Sequence, residues 1–391
     1  MRERLRISDL TILYVCLSDR WTTKERRCIS DANYFRNIGG TAILLCNEKS
    51  YLDKEAEKED IPRIYFSAGL DTIRSQINFY FQLQQILQKQ QIDIIHTYDH
   101  ETLMPFGLAL RSLPQIPLVF TFNNIMGARK FQFLDRWFSA RTDSILTFSE
   151  TIKEIATECF PVPSRKIHVT GMGVDFPSNV HDSIHTESRK KIITFISRAA
   201  TNIDHIKVFI DGVVPLLHQL EEAKFKQQLI FTFMTDISWY DHPLYDILKR
   251  VILERQLEMY FNFESRPLKA NSFIDCDVFV GIPLEELFTD LDLYSLVTRT
   301  PVLLPRTSTR QQIVKQGKFG ETYHPEDGRE LKIKLFKILT NYSRYLDELD
   351  GIPQEIFEKH HFEYYSEMLY SHYEKLFAQR LRYTQKKRKL T

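Results

Sequence analysis

The chain has 391 residues, more than one ordinary hydrophobic core can use and enough for roughly two or three domains. Hydrophobic residues make up 43% and charged residues 26%, the balance of a globular protein with sizeable cores, which argues against a disordered chain. A formal net charge of +1 rules out a global field of the kind that attracts nucleic acid, so any charged ligand must meet a local site.

The five cysteines (Cys16, Cys28, Cys46, Cys159, Cys276) are scattered, odd in number and without paired metal-ligand spacing. They read as reduced thiols of a cytoplasmic protein, with no metal and no cofactor expected. Near the N-terminus the apolar run Leu10 to Leu17 is too short to span a bilayer and lacks a small-residue cleavage site, so it reads as a first buried strand. No run of about 18 apolar residues occurs anywhere. Membrane contact, if there is any, is expected to be peripheral.

From that strand onward, short β-rich apolar runs alternate with segments of helical period, the pattern of a parallel sheet with crossover helices. The predicted strands are Thr11 to Leu17, Thr41 to Cys46, Ile92 to His96, Pro117 to Phe122, Ser144 to Phe148 and Lys166 to Val169. Arg26 to Ile38 fits a first crossover helix stopped by Gly39-Gly40. Ile73, Ile77, Tyr80, Phe81, Leu83 and Leu87 recur at mostly three- and four-residue spacing, which predicts a second.

The segment from Phe176 to Lys190 is polar and aperiodic and reads as an interdomain linker. Beyond it the rhythm restarts, with strands predicted at Ile192 to Ile196, Gln228 to Phe233, Glu258 to Phe263, Asp277 to Val280 and Val302 to Leu304, and helices such as Ile206 to Leu220 and Asp246 to Arg255. A last helical pattern runs through Phe362, Tyr365, Met368, Leu369, Tyr373 and Leu376, and its aromatic stripe calls for a surface to cover, on the N-terminal lobe. Lys386-Lys387-Arg388-Lys389 then reads as a frayed, solvated tail. The fold class is therefore α/β with two doubly wound, Rossmann-like lobes, over 1–178 and 190–356, and a crossover helix and tail over 357–391.

Chemistry concentrates where strands give way to helices, the place where open α/β sheets bind nucleotides and phosphates. Ser197-Arg198 closes one strand, and Glu285-Glu286-Leu287-Phe288-Thr289 opens a helix after another, ahead of Thr300-Pro301-Val302. In the first half the comparable stretches are Thr22-Thr23-Lys24-Glu25-Arg26, Asp93-Ile94-Ile95-His96 with His100 beyond it, Phe122-Asn123-Asn124, Thr142-Asp143-Ser144-Ile145 with Phe148-Ser149-Glu150, and Lys166-Ile167-His168-Val169 leading to Gly173-Val174-Asp175.

In this order the stretches resemble the family 4 retaining glycosyltransferases over nearly the whole chain. The resemblance implies the two-lobed GT-B fold, an acceptor-side N-terminal lobe, a C-terminal lobe that binds a nucleotide-diphosphate sugar, and a cleft between them. It places Arg198 on the family's pyrophosphate-binding arginine, a role suited to a guanidinium's permanent charge and planar fork of donors. The family's two glutamates fall on Glu286, beside the donor sugar, and on Tyr294, where a ribose-binding carboxylate is lost. Its diphosphate-cradling amides fall on Leu287, Phe288, Thr289 and Asp290, without the glycines that ease close approach. On the acceptor side it points to Thr22 and Thr23 in the first loop, to His96 and His100, and to Asn123 in place of a histidine, with Asn123 counted beside Glu286 as a catalytic position. The family's phosphate lysine has no counterpart between Ala199 and His205.

Each of these residues also has an ordinary reading: Arg198 in a salt bridge, Glu285-Glu286 as a solvated helix start, His96 and His100 packed or on the surface, Cys276 a buried thiol. The expected function is transfer of a sugar to a hydroxyl acceptor, glycan or lipid-linked, in glycan or glycolipid biosynthesis. The alternative is an inactive GT-B protein that binds a glycan or a partner as a scaffold, with a same-fold nucleotide-sugar epimerase as a third reading. No Gly-x-Gly-x-x-Gly follows the first strand, no Walker loop is present, and Ser149-Glu150 lacks the glycines of a nucleophile elbow, which disfavours dehydrogenase, NTPase and hydrolase chemistry.

Overall fold

A computed structural model describes residues 10–66, 72–123, 140–176, 189–283, 286–352 and 357–388. Their contacts divide the chain into two compact units, Met1–Gly173 with Phe362–Thr391, and Val174–His361.

In unit 1 the strands β1 (Thr11–Val15), β2 (Thr41–Cys46), β3 (Arg63–Tyr65), β4 (Ile94–Thr97), β5 (Leu118–Phe122), β6 (Ser144–Thr147) and β7 (Ile167–Val169) form one parallel sheet in the order β3-β2-β1-β4-β5-β6-β7. Between them lie α1 (Thr23–Asn37), α2 (Tyr51–Lys58), α3 (Ile73–Lys89), α4 (Leu103–Ala109) and α5 (Glu150–Cys159). The central strands are buried along their length because helices cover both faces of a parallel sheet, which is why they read as apolar runs and not as alternations. The helices start on side-chain caps: the Ser149 hydroxyl accepts from the Ile152 N–H at 3.2 Å, and Thr72 accepts from Ser75 at 3.2 Å.

Unit 2 repeats the order. Its strands β8 (Arg189–Phe195), β9 (Gln228–Thr235), β10 (Phe261–Ser265), β11 (Val278–Val280), β12 (Val302–Pro305) and β13 (Gly320–Tyr323) run β10-β9-β8-β11-β12-β13, all parallel. Around them pack α6 (Asp204–Glu222), α7 (Tyr245–Glu254), α8 (Asp290–Val297), α9 (Ser308–Ile313), α10 (Gly328–Thr340) and α11 (Tyr342–Asp350). Phe209, Phe231, Phe233 and Phe261 form a mutually packed aromatic centre in a core continued by Ile210, Val213, Leu216, Leu248 and Leu335.

The last helix, α12 (Phe362–Arg388), belongs to unit 1. Tyr365, Leu369, Tyr370, Tyr373 and Leu376 are buried there, and the Tyr370 ring stacks on Tyr34 at 5.1 Å and Phe35 at 5.7 Å. Met368, counted in the stripe, faces outward instead, and Tyr370 takes the inner position. The helix runs on through Lys386, Lys387 and Arg388, so these are helical and not frayed, while Lys389 lies outside the described residues.

Four further differences have local causes. Strands β3 and β13 escape the apolar pattern because each is a short edge strand with a polar or charged residue in its centre or flank. Strand β8 starts at Arg189, within the expected linker, because Lys190 pairs with Asp277 at 3.0 Å and Lys191 with Glu264 at 2.7 Å and Asp275 at 2.8 Å, so charged residues serve as strand. The rest of that linker, 177–188, lies outside the described residues. Helix α1 begins at Thr23, which makes the stretch read as a first loop a cap and first turn.

Candidate functional site

In each sheet the strand order reverses once, between β1 and β4 in unit 1 and between β8 and β11 in unit 2. Open α/β sheets bind ligands at that reversal, outside the carboxyl ends of the strands.

At the unit 1 reversal an ion pair occupies the edge. Asp99, just past β4, accepts from the Leu17 N–H at 2.5 Å and from Lys24 Nζ at 2.6 Å. Burial, the largest single influence, would lower the Lys24 pKa, but Asp99, Cys16 and Glu25 together outweigh it and hold the ammonium charged, with its pKa well above the usual lysine range. Thr22 donates both its N–H, at 2.7 Å, and its hydroxyl, at 2.6 Å, to Glu25, and Thr23 is buried in the first turn of α1. Both threonines thus serve the helix start in place of an open loop.

His96 is fully buried at the end of β4. Nδ1 bonds the Tyr373 hydroxyl of α12 at 2.5 Å and Nε2 bonds Thr121 at 2.7 Å, and burial lowers its pKa to about 3. This corrects the expectation of an acceptor-side histidine: α12 covers the residue and both ring nitrogens are spent inside the unit. His100 is half-exposed on the turn after β4, with Nδ1 3.2 Å from Glu101. Asn123 ends β5 as a buried residue, and Asn124 beyond it lies outside the described residues.

His96 belongs to a larger buried set beneath α12. Arg27 donates Nε to Asp31 at 2.8 Å and Nη1 to the carbonyls of Met172, at 3.2 Å, and Gly173. Asp31 also accepts from the hydroxyls of Tyr98 and Tyr365, the latter at 2.8 Å. Gly173 has φ +67°, a left-handed conformation, and a Cβ there would run into the Arg27 guanidinium and the Tyr365 ring, so the residue must be glycine.

At the unit 2 reversal, Arg198 follows β8 and lies against Asp236, which follows the neighbouring β9. Nε and Nη2 both reach the same Asp236 oxygen, at 3.0 and 2.5 Å. His242 packs beside this pair: its Nδ1 accepts the Leu244 N–H at 3.1 Å, so Nε2 carries the proton and donates to the Ser197 carbonyl at 3.0 Å. Burial lowers its pKa, although the Ser197 carbonyl and Asp236 work the other way. Sequence reasoning missed Asp236 and His242. The available signal was register, since the parallel pairing of β8 with β9 sets Asp236, one residue past β9, level with Ser197 and next to Arg198.

Past β11, Glu286 is 2% exposed, and Leu287, Phe288, Thr289, Asp290 and Tyr294 are buried with it. Glu286 is therefore not a solvated helix start, and Glu285 lies outside the described residues. The Thr289 N–H donates to Asp292 at 3.0 Å, and the Leu291 N–H donates to Asp290 at 3.0 Å. These carboxylates take amides that a glycine-rich turn would present to phosphate. Asp292 also pairs with Arg310 at 3.0 Å and so faces inward, away from any ribose-binding role. The Tyr294 ring lies parallel to Phe273 at 6.3 Å, and Phe288 meets His360 edge to face at 5.4 Å. The structure thus gathers Arg198 and the Glu286–Tyr294 stretch on one sheet of unit 2, and Thr22, Thr23, His96, His100 and Asn123 on that of unit 1. Among the described residues no cluster of histidine, cysteine and acidic side chains suits a metal ion, and no helix is long and apolar enough to cross a membrane.

Residues 25–176 match the family model described as Glycosyltransferase Family 4. No curated protein matches the sequence. Among solved structures, a glycosyltransferase from Rickettsia africae is 16% identical, with 94% of this chain and 98% of that one covered at a TM-score of 0.71. Anabaena HepE, solved in complex with UDP, is 14% identical, with 93% and 99% covered at 0.69. The sucrose-phosphate synthase of Thermosynechococcus elongatus is 12% identical, with 95% and 100% covered at 0.67. The chain shares the GT-B fold of these solved structures, and its residues 25–176 are similar to glycosyltransferase family 4.

Proposed function

We propose that the protein transfers a sugar from a nucleoside-diphosphate donor to a hydroxyl of a glycan or lipid-linked acceptor. The observation that carries this reading is the buried carboxylate of Glu286 beyond β11, on the same strand-order reversal as Arg198 beyond β8. A carboxylate kept from water orients sugar hydroxyls, and a guanidinium at the strand end stabilises the charge that develops on the leaving diphosphate. That HepE is solved with UDP and with UDP-glucose makes these the first probes to use here. The free cysteines, four of them buried, fit a reducing compartment, and we assign the protein to the cytoplasm, with any membrane contact peripheral.

A second reading, a GT-B protein that binds without turnover, draws on a specific observation. Arg198, Lys24 and the amides that open α8 all have carboxylate partners from within the chain. The test is calorimetry and thermal shift against a panel of nucleoside diphosphates led by UDP, followed by transfer assays on wild type and Glu286→Gln. A ligand at about 100 times its Kd stabilises by about 2.7 kcal/mol. Binding together with transfer that Glu286→Gln abolishes supports the enzyme. Absence of both across the panel leaves the non-catalytic reading.

A further inference from the structure

The loop that carries Glu286 is held by α9. Thr307, the N-cap of α9, donates its hydroxyl to the Leu287 carbonyl at 3.2 Å. One turn further on, Arg310 donates Nε to Asp292 Oδ2 at 3.0 Å, and the same oxygen accepts the Thr289 N–H at 3.0 Å. The residues on either side of Phe288 are therefore both fixed to one short helix, Leu287 directly and Thr289 through Asp292.

Arg310 is 1% exposed, and its Nη1 is buried without a hydrogen-bond partner among the described residues. A guanidinium in that state is a costly way to fill space, and an apolar side chain of similar volume packs there at lower cost. An apolar side chain lacks what Arg310 supplies: a charged donor that turns the Asp292 carboxylate toward the Thr289 amide. With Asp292 reoriented, the first turn of α8 loses the acceptor that closes it.

We propose that Arg310 is a positioning residue for the donor loop, acting through Asp292 to fix the start of α8 and with it the Glu286 carboxylate. The assignment of that loop to a donor rests on the glycosyltransferase reading above. Arg310→Met alone strands a buried carboxylate and risks the fold, so the deciding variant is Asp292→Asn with Arg310→Met, which removes both charges. Hydrogen exchange on the full chain, followed peptide by peptide, is the first readout. Exchange across 286–292 should rise about tenfold or more while β8 and β12 keep wild-type protection. Unchanged protection at 286–292, or a rise spread evenly over unit 2, overturns the proposal.

The second readout is transfer from UDP-glucose or the panel donor that wild type uses. Turnover should fall about tenfold in the double variant, with a smaller change in donor KM, and Arg310→Lys, which keeps a cation beside Asp292, should recover part of it. Wild-type turnover in a double variant of normal melting temperature overturns the proposal equally. If wild type binds no nucleoside diphosphate and transfers nothing, the glycosyltransferase reading falls, and the exchange data still decide whether Arg310 holds the loop.

Discussion

The two units share one strand order and bury different chemistry. Unit 1 holds a polar set under α12, with Arg27, Asp31, His96, Tyr98, Tyr365 and Tyr373 bonded in a connected chain of partners. Unit 2 fills its centre with the rings of Phe209, Phe231, Phe233 and Phe261, and keeps Glu286, Asp290 and Asp292 at the carboxyl edge of the sheet. The repeated topology follows from the same period of apolar runs in both halves. What is polar inside depends on the covering element: α12 brings tyrosines whose hydroxyls need acceptors, and Asp31 and His96 supply them. The comparison teaches that the buried charge under α12 in unit 1 serves structure, whereas that of Glu286, Asp290 and Asp292 in unit 2 stands at a strand-order reversal, the place where open α/β sheets bind ligands.

The sharpest test on the structural side is Arg27→Met. It leaves Asp31 buried with two tyrosine donors and no countercharge, and removal of one partner of a buried pair costs about 3–5 kcal/mol. Chemical denaturation should show that loss, and Arg27→Met with Asp31→Leu should recover much of it. If the single variant keeps wild-type stability, the polar set of unit 1 is not structural and the contrast with unit 2 fails.

Acid gives the next largest effect. The folded pKa of His96 lies at about 3, below the value of about 6.5 in an unfolded chain, so the unfolded state takes up the proton first. Its contribution is fully present above pH ~6.5 and drains as pH falls toward ~3, on the order of 4 kcal/mol in all. His372, which bonds Ser144 at 2.6 Å and is lowered to about 4 by burial, then His168 and Lys375, adds loss of the same sign. Burial raises the Asp31 carboxyl, which has the opposite sign, so the quantity to measure is the difference between wild type and His96→Gln. The variant should lack part of the acid limb, and superimposable pH profiles would assign the limb to other groups.

Most of the fold was legible because parallel strands covered on both faces are unbroken apolar runs, as in Ile12–Val15 and Ala42–Cys46. Edge strands β3 and β13 were not, since a strand with one neighbour needs no such run. The candidate site was legible as positions and not as partners. Arg198, Glu286 and the start of α8 follow from where strands end, but Asp236 and Arg310 reach them from 38 and 18 residues away in the chain, and such pairing has no local period. His96 misled for a related reason: the hydroxyl that bonds it comes from Tyr373, 277 residues on.

Arg198 and Lys24 allow the contrast to be drawn with one ligand. Each is a cation beside an acid at a strand-order reversal, Arg198 with Asp236 and Lys24 with Asp99. Arg198→Ala should weaken UDP binding by about 1.5–3 kcal/mol, the range for a charged hydrogen bond. Lys24→Met should lower the melting temperature and leave UDP affinity as it is. Equal loss of affinity in both variants would mean that the two edges are not divided between structure and ligand, and no loss in Arg198→Ala would reduce that residue to its pair with Asp236.

Tyr294 calls for the smallest effect and the finest distinction. It stands where a ribose-binding carboxylate is expected from the family resemblance, yet it is only 9% exposed and its ring lies parallel to Phe273. A tyrosine that acts by its ring loses little when the hydroxyl is removed, because Phe preserves shape and packing. Tyr294→Phe should therefore change stability by less than about 1 kcal/mol and leave UDP affinity unchanged. A ribose contact predicts a lowered affinity for UDP at the same stability. The base alone, uracil, separates the cases further, since it carries no ribose: a Tyr294→Phe loss seen with UDP and absent with uracil would make Tyr294 a ligand-binding residue of unit 2, in place of the packing residue its burial indicates.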